Sequence, residues 1–410
     1  MKVARFMKAA EEEGTDRKPV YRDRRLQLLL VVSFTALMGY TLITPVFPAM
    51  INDLGVTTQE VGLLITFYSL PGILFVPVLG VLSDRFGRKK IMVPGLILFG
   101  IAGGACAFVR DFRILLALRF VQGLGGSSLF TLSLTLIGDI YSGSECTQAM
   151  GYNYSVAHFA NASYPFIGGA VALAAWYYPF LLYFLAVPVG VLVLLKLEKP
   201  ELGKNQDVRE YMSDVFSSVK NRQVIGIFLC SFVSFVLYAG IYLTYFSLTM
   251  AESFGASPFD IGLIVSVGFI SAAITSSQLR LLARCFSERN IIKVGFVLVA
   301  LALVAVPLVS NLWQFAIPAI IFGVGFGLID PVKTSILSGL VPTKCRATLM
   351  SMNESSMVLG MSLGPVLMAA VFTVWGISGV FNAGAVLAMV AFVLMWFMLR
   401  QNRAEEKRLG

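Results

Sequence analysis

Long apolar runs dominate this sequence and constrain its fold more than any other feature. About twelve segments are long enough to cross about 30 Å of hydrocarbon as helices, which takes roughly 20 residues each. These segments are 27–50, 60–82, 91–109, 113–140, 147–174, 178–197, 223–250, 259–281, 290–310, 312–339, 346–373 and 377–399. With 57% hydrophobic and 13% charged residues, the chain lies outside the range of soluble globular proteins. The sequence therefore predicts an all-α polytopic membrane protein with twelve transmembrane helices.

The distribution of basic residues predicts the orientation of these spans. If the N-terminus is inside, 28 of the 32 Lys and Arg residues lie in inner loops and tails, and two, Arg110 and Arg113, lie in outer loops. Inner loops of membrane proteins carry such an excess of basic residues. We therefore expect a multi-pass protein of the plasma (cytoplasmic) membrane with both termini in the cytoplasm. The net charge of +9 then reflects topology and attraction to anionic lipids, so no nucleic-acid partner is needed.

The chain also repeats itself after 200 residues. This shift places identical residues on each other, including Gly55 on Gly255, Gly62 on Gly262, Gly123 on Gly323, Asn153 on Asn353 and Pro165 on Pro365. Such a duplication predicts two six-helix pseudo-repeats around a central cavity, an architecture of secondary transporters. The predicted divisions are a cytoplasmic segment (1–26), an N-terminal half (27–197), a cytoplasmic linker with an amphipathic helix (198–222), a C-terminal half (223–399) and a cytoplasmic tail (400–410).

Three short motifs stand out within this framework. GVLSDRFGRKK at 80–90 resembles the signature loop between spans two and three of the major facilitator superfamily, and RFVQG at 119–123 is similar to the fourth-span motif of the same superfamily. Drug–proton antiporters of the superfamily carry a glycine-rich motif in span five; here Ala160 and Tyr164 replace two of its glycines, while its other positions are kept by Gly151, Pro165, Gly168 and Gly169. The resemblance covers essentially the whole chain. It implies the major facilitator fold and points to the twelve-span drug–proton antiporter group.

The loop at 80–90 is interpreted as a conformational latch. Gly80 lets span two approach a neighbouring helix, and Gly87 permits a tight turn. Asp84 can pair with Arg88, and the resemblance implies that this cluster also meets an acidic residue at the inner end of span four. A merely basic inner loop is the alternative. The predicted latch residues are Gly80, Asp84, Arg85, Gly87, Arg88 and Asp139.

Ionisable side chains inside the spans are the candidates for proton coupling, because each is costly there unless it is paired or faces water. They are Asp330, Glu354, Arg119 and His158. Structural roles remain open for most of them. Asp330 and Lys333 share one helical face at i, i+3 and can neutralise each other. Arg119 can bond backbone carbonyls of span one, and His158 can be a packing residue.

Tyr238, Tyr242 and Tyr245 recur at helical spacing and form a stripe on span seven. This stripe either lines the cavity or packs against neighbouring helices. The full set predicted to line a substrate cavity is Tyr40, Thr44, Phe130, Asn153, Asn161, Tyr238, Tyr242, Tyr245, Lys333, Met352 and Asn353. Such an aromatic surface suits a hydrophobic or amphipathic small molecule better than a sugar, which needs many fixed hydrogen-bond partners.

The predicted function is proton-coupled export of such molecules by a monomer working by alternating access, with small-molecule substrate, protons and membrane lipids as partners. The alternative is an uptake or exchange carrier for a small organic anion, bound by Arg119 and Lys333. The five cysteines lie far apart, and no metal, nucleotide or nucleophile motif appears. We therefore expect no enzyme activity, metal or cofactor.

Overall fold

The computed structural model describes residues 20–197, 221–340 and 346–399. The amphipathic helix predicted within 198–222 and the tail 400–410 fall outside the described residues, apart from positions 221 and 222 at the start of the second half. The architecture below refers to the described ranges.

The N-terminal half contains six long helical segments: α1 (Arg24–Leu54), α2 (Leu63–Phe86), α3 (Arg88–Phe108), α4 (Phe112–Ile140), α5 (Gly143–Ala172) and α6 (Tyr178–Lys196). Helix α1 is interrupted, because regular turns over Arg24–Ala36 give way to a short helix at Met38–Thr41 and a 3₁₀ turn at Thr44–Val46 before Phe47–Leu54. A short turn, Thr58–Val61, precedes α2.

The C-terminal half follows the same order: α7 (Arg222–Phe254), α8 (Pro258–Ser277), α9 (Glu288–Leu308) and α10 (Leu312–Leu340), with a short helix at Leu279–Cys285 between α8 and α9. The last helical stretch, Arg346–Met398, is broken at Gly376, whose φ of 64° is left-handed. This break divides it into α11 (346–375) and α12 (377–398).

Most of these helices are long and apolar enough to cross a membrane. Within the described ranges nine stretches meet that condition, the last of them running over both α11 and α12. Helices α2 and α5, of 24 and 30 residues, add two more long segments. The prediction of an all-helical polytopic protein is confirmed, and the observed helices are consistent with the twelve predicted spans.

The predicted duplication is visible in the local geometry of the two halves. Gly55 and Gly255 end α1 and α7 in the same left-handed conformation, with φ of 65° and 61°. Each is followed by a capping box, Thr57 with Glu60 in one half and Ser257 with Asp260 in the other. Residues 200 apart therefore form the same turn, which confirms the two pseudo-repeats.

Matched glycines also set the helix packing inside each half. Gly123 of α4 lies against the carbonyl oxygen of Tyr68 in α2, and Gly323 of α10 lies in the same way against Gly268 of α8. A Cβ at either glycine would collide with backbone. Because only glycine permits this approach, the repeated glycines of the sequence encode repeated helix contacts.

The two halves meet directly at the end of the bundle that holds Gly55, called here the Gly55 end. Gly262 of α8 lies against the backbone of Pro165 in α5. Between α2 and α11, Thr66 Oγ1 donates to the carbonyl oxygen of Ser362 at 2.7 Å. We call these α2–α11 and α5–α8 contacts the seam. The opposite end of the bundle, where α2 turns into α3, is called the Gly87 end.

Candidate functional site

Glu354 of α11 lies at the boundary between the two halves. Its Oε2 accepts a hydrogen bond of 3.1 Å from Thr131 Oγ1, which belongs to α4 of the N-terminal half. Among the described residues, no cation forms an ion pair with this carboxylate. In the described part of the chain, the Glu354 carboxylate therefore has a neutral hydroxyl as its partner across the boundary. Thr131 was not singled out by the sequence, which has no signal for a lone threonine.

Asp330 and Lys333 of α10 form an ion pair, with 2.7 Å between Asp330 Oδ1 and Lys333 Nζ. The Lys333 side chain has no exposed surface, and its ammonium lies 4.8 Å from the ring centroid of Phe235 in α7. The Asp330 side chain is 37% exposed. The two residues thus adopt the self-neutralising arrangement, in which the cation is buried inside the C-terminal half and the carboxylate lies at its edge.

Asp330 faces α5 of the other half. His158 and Tyr154 both lie within electrostatic range of its carboxylate, and Tyr154 also lies within range of Glu354. The ring of Phe130 packs edge-on against Tyr154 at 6.3 Å. Tyr154 is therefore part of the site although it was not among the predicted residues; its position one residue after Asn153 was the only signal in the sequence.

Arg119 of α4 is buried within the N-terminal half. Its guanidinium donates to the carbonyl oxygen of Gly39 in α1 and, at 2.7 Å, to Gln122 Oε1, one turn further along α4. It also lies 4.7 Å from the ring centroid of Tyr68. The side chain has no exposed surface. Hydrogen bonds to α1 carbonyls are the structural alternative considered for this residue, and the contacts favour it.

The tyrosine stripe of α7 packs inside the C-terminal half. The Tyr242 ring stacks on Phe322 of α10 at 4.6 Å, and its hydroxyl donates to the carbonyl oxygen of Val265 at 2.7 Å. Tyr238 stacks on Phe326 at 5.1 Å. The contacts therefore favour the packing alternative for these two residues. Tyr245 is also buried, with its ring 5.6 Å from that of Phe372.

A π-helix at Leu237–Tyr245 shapes this stripe and was not predicted from the sequence. Thr244 Oγ1 reaches back five residues to the carbonyl oxygen of Ala239, at 2.8 Å. Tyr238 and Tyr242 both lie in this segment, and their rings are 6.4 Å apart and inclined by 17°. Such π segments occur frequently at functional sites.

The other predicted cavity residues divide between the boundary and the cores. Tyr40 of α1 is half-buried, 5.7 Å from the ring of Tyr68 and within electrostatic range of Tyr238 across the boundary. Asn353 is buried and accepts a hydrogen bond from Ser231 of α7 at 2.5 Å.

Four further members of the predicted set are buried or half-buried. Thr44 is buried and donates to the carbonyl oxygen of Thr41 at 3.2 Å. Asn153 is fully buried, and its amide has no hydrogen-bond partner among the described residues. Asn161 and Met352 are half-buried.

The predicted latch region brings Arg88 and Asp139 together at 3.0 Å. This ion pair joins the beginning of α3 to the end of α4, within one half. Gly87 has φ of 97°, as a tight turn requires, and Arg85 is exposed. The side-chain environments of Gly80 and Asp84 fall outside what the structure describes.

The span-five motif lies at packing contacts. Gly168 lies against the carbonyl oxygen of Leu42 in α1, and Gly169 lies against the backbone of Pro258 in α8, across the seam. Pro165 faces Gly262 in the same seam. Gly151 has open space beside it. Three of the four matched motif positions therefore allow α5 to approach its neighbours closely.

Two six-helix pseudo-repeats that enclose buried charges and share an ionisable boundary define a membrane transporter. A model of the Major Facilitator Superfamily matches residues 29–249 and again residues 227–410. This protein belongs to that superfamily, whose members are transporters and not enzymes.

The similar proteins include exporters. The chain is 26% identical to the bacillibactin exporter of Bacillus subtilis (strain 168), over 91% of this chain and 96% of that one. It is 25% identical to the quinolone resistance protein NorA of Staphylococcus aureus (strain COL), over 94% and 99% of the two chains. The crystal structure of a bacterial homologue of the human lysosomal transporter Spinster, inward-facing and unoccupied, shares the fold, with a TM-score of 0.78 at 16% identity and coverage of 95% and 100%.

Proposed function

We propose that this protein is a proton-coupled exporter of hydrophobic or amphipathic small molecules that works by alternating access. It acts as a monomer in the plasma (cytoplasmic) membrane, with both termini and the Gly87 end in the cytoplasm. The basic residues concentrated at the Gly87 end support this orientation. An exporter and a drug-resistance protein among its relatives, together with the aromatic boundary between the halves, support the direction and the substrate class.

The uncompensated carboxylate of Glu354 is the observation that carries the proposal. It bonds Thr131 of the opposite half at 3.1 Å and lacks an ion-pair partner among the described residues. When the cavity opens outward, Glu354 takes up a proton as substrate leaves. When the cavity opens inward, the proton is released and substrate binds. The change of charge on one residue thereby accompanies each change of conformation.

Asp330 has a different role in this proposal, because Lys333 already neutralises it at 2.7 Å. It orients His158 and Tyr154 across the boundary, and it keeps the site nearly neutral for a hydrophobic substrate. The alternative, an organic-anion carrier, needs a free cation in the site. Arg119 and Lys333 were the candidates, and both are fully buried and already engaged.

The latch residues at the Gly87 end control conformational populations in this proposal. Arg88 and Asp139 hold the ends of α3 and α4 together, and Asp84 is proposed to add a contact with the other half. Pairs of this kind at the membrane surface contribute about 1 kcal/mol or less each. Asp84→Asn is expected to slow transport without changing the ranking of substrates.

The test is a flux assay in proteoliposomes with an imposed pH gradient and a panel of lipophilic cations, neutral compounds and carboxylates. Glu354→Gln should reduce the rate of gradient-driven flux at least about ten-fold, which corresponds to about 1.4 kcal/mol of activation free energy. Exchange of labelled for unlabelled substrate without a gradient should continue. Glu288→Gln is the matched control, because that carboxylate lies at the Gly87 end and bonds Ser335 at 2.7 Å.

Three outcomes would contradict the proposal. Flux that ignores the pH gradient in the starting protein would exclude proton coupling. Normal gradient-driven flux in Glu354→Gln, together with loss of this flux in Asp330→Asn, would assign the proton-carrying role to Asp330. Accumulation of carboxylates in preference to the other compounds would favour the organic-anion alternative.

A further inference from the structure

An apolar groove runs between α9 and α12 on the outside of the C-terminal half. Its volume is about 690 Å³, and every side chain that lines it is apolar, including Val297, Leu301 and Val304 of α9 and Val386 and Val390 of α12. Leu301 is 55% exposed and Val386 is 64% exposed, so the groove opens away from the helix bundle. From Val297 to Val304 it extends about 10 Å along α9.

A basic and aromatic cluster closes the groove at the Gly87 end. Lys293 precedes Val297 by one turn of α9, and Trp396 follows Val393 by one turn of α12. The Lys293 ammonium lies 4.2 Å from the centroid of the Trp396 ring. Arg289, one turn before Lys293, is close enough to interact with it electrostatically. Two positive charges therefore stand where the apolar groove reaches the membrane surface.

Acidic groups do not cancel this charge on the same helix. Glu288, the acidic residue in the first turn of α9, accepts a hydrogen bond from Ser335 of α10 at 2.7 Å, and so points away from α12. Within the described part of the chain the Lys293 ammonium has one further contact, to Asn290 Oδ1 at 3.5 Å. An ammonium has three donors, so it can bond an additional acceptor.

The matching surface of the N-terminal half is closed. There Gly100 and Gly104 of α3 let α6 approach, and side chains at these positions would collide with Val187 and Phe184. Gly190 of α6 also faces α3, where a Cβ would lie 3.2 Å from the Leu96 side chain. The C-terminal half has larger residues at the positions 200 further on, namely Ala300, Val304 and Val390. It also has Lys293 where the first half has Val93. The charged groove is thus a property of one half and not of the fold.

We infer that this groove binds an anionic phospholipid. One acyl chain lies along α9 and α12, the phosphate accepts hydrogen bonds from Lys293 and Arg289, and the Trp396 ring packs against the glycerol region, where indole rings are favoured. Charge complementarity selects an anionic head group over a zwitterionic one. The inference is independent of the direction and coupling of transport.

Trp396 provides the measurement. The full-length protein with Trp176, Trp313 and Trp375 replaced by Phe keeps one tryptophan, at the groove. It is placed in phosphatidylcholine vesicles that contain a small fraction of brominated phosphatidylglycerol or of brominated phosphatidylcholine. We expect half-maximal quenching with about five-fold less of the brominated phosphatidylglycerol, the scale of one basic side chain at an anionic surface.

Substitutions distinguish lipid binding at this groove from the general attraction of anionic lipids to a basic protein surface. Replacing both Arg289 and Lys293 by Gln should abolish the preference for phosphatidylglycerol, Lys293→Gln alone should reduce it, and Lys293→Arg should keep it, which also shows that the position tolerates substitution. Lys90→Gln is the matched control, since Lys90 is exposed at the same end of the N-terminal half. Each preference is a ratio within one variant, so a change in the brightness of Trp396 does not affect it.

Three results would overturn the inference. Equal quenching by the two brominated lipids in the starting protein would show that the groove does not select charge. A preference that survives when both Arg289 and Lys293 are replaced by Gln, or that falls equally in Lys293→Gln and Lys90→Gln, would assign it to the overall basic surface. No quenching by either lipid would show that protein, such as a second copy of the chain, covers the groove.

Discussion

The centres of the two halves have the same backbone contacts but different chemistry. In the N-terminal half Arg119 and Gln122 fill the space beside Gly123, and they are joined by a hydrogen bond of 2.7 Å. The positions 200 residues later are Ala319 and Phe322. There the space is filled by aromatic rings, with Phe322 stacked on Tyr242 at 4.6 Å.

This difference shows which features the fold requires. The glycine contacts of α4 with α2 and of α10 with α8 are retained in both halves, because no other residue permits that approach. The side chains around them have been exchanged for a wholly different set. The same helix crossing can therefore be stabilised either by a buried charge that is hydrogen-bonded to carbonyls or by a stack of aromatic rings. Substitutions in the two halves should consequently lower stability for different reasons.

The largest effect is expected from Arg119→Met. Loss of the guanidinium leaves Gln122 Oε1 buried without its donor and leaves the Gly39 carbonyl with the weaker bond from the Tyr183 hydroxyl at 3.3 Å; an unsatisfied buried group costs about 1–3 kcal/mol. We expect the thermal midpoint of the detergent-solubilised protein to fall by many degrees. A variant as stable as the starting protein that no longer transports substrate would instead make Arg119 a functional residue of the site.

Alanine at matched glycines should separate contacts within a half from contacts across the seam. Gly123→Ala places a methyl group against the Tyr68 carbonyl and should lower stability by about 1–3 kcal/mol. Gly262→Ala collides with Pro165 of the other half, so the halves can move apart instead. We expect a smaller change in thermal midpoint but faster labelling of a cysteine introduced at Thr66. Equal loss of stability without a change in labelling would show that the seam does not open.

A pair of hydroxyl deletions compares the two centres at equal volume. Tyr183→Phe removes the hydroxyl that bonds the Met38 carbonyl at 3.1 Å and lies beside Arg119. Tyr242→Phe removes only the bond to Val265. We expect losses of about 1–2 kcal/mol for Tyr183→Phe and about 1 kcal/mol for Tyr242→Phe, read from thermal midpoints. The reverse order would mean that the aromatic stack depends more on its hydroxyl than the charged cluster does.

The smallest effect concerns the caps of α1 and α7. Asp23 and Asn221 each accept a hydrogen bond from a backbone N–H two residues on, at 2.8 and 2.9 Å. Burial acts to raise the pKa of Asp23, but hydrogen bonds from Arg25 and Tyr141 outweigh it and hold this pKa below its usual 3.8. Asp23→Asn keeps the cap, so we expect a loss below about 1 kcal/mol at neutral pH.

The effect of Asp23→Asn on stability should depend on pH in a definite direction. Because the pKa of Asp23 is lower in the folded protein, the carboxylate stabilises the fold above pH 3.8, and this contribution is lost as the pH falls through the folded-state pKa. The difference in thermal midpoint between the starting protein and Asp23→Asn should therefore shrink on acidification below pH 3.8. A difference that grows on acidification would contradict this assignment.

The sequence predicted the helices and the repeat well for a physical reason. Apolar length and the left-handed turn of a glycine act locally, so Gly55 after α1 and Gly255 after α7 have their effects whatever the rest of the chain does. The faces of the helices were harder to predict. The spacing of Tyr238 and Tyr242 places both on one side of α7, but the rings of Phe322 and Phe326 on α10 determine that this side is packed.

Polar partners were equally hard to predict, because they depend on a second helix. Asn153 and Asn353 occupy equivalent positions in the two halves. Among the described residues, Asn353 has a hydrogen-bond partner, Ser231, and the Asn153 side chain has none. The position 200 residues before Ser231 is Val31, which offers no hydroxyl. The hydrogen bond between Glu354 and Thr131 joins residues that are 223 apart, and nothing in either local sequence indicates it.

The seam has a consequence for pharmacology. At the Gly55 end the halves touch through glycines that face backbone carbonyls, as with Gly262 on Pro165 and Gly169 on Pro258. Such a joint presents few side-chain recesses to a ligand arriving from that end. An inhibitor that binds at the seam would have to displace these main-chain contacts. Compounds that bind from the Gly87 end are therefore the more promising starting points.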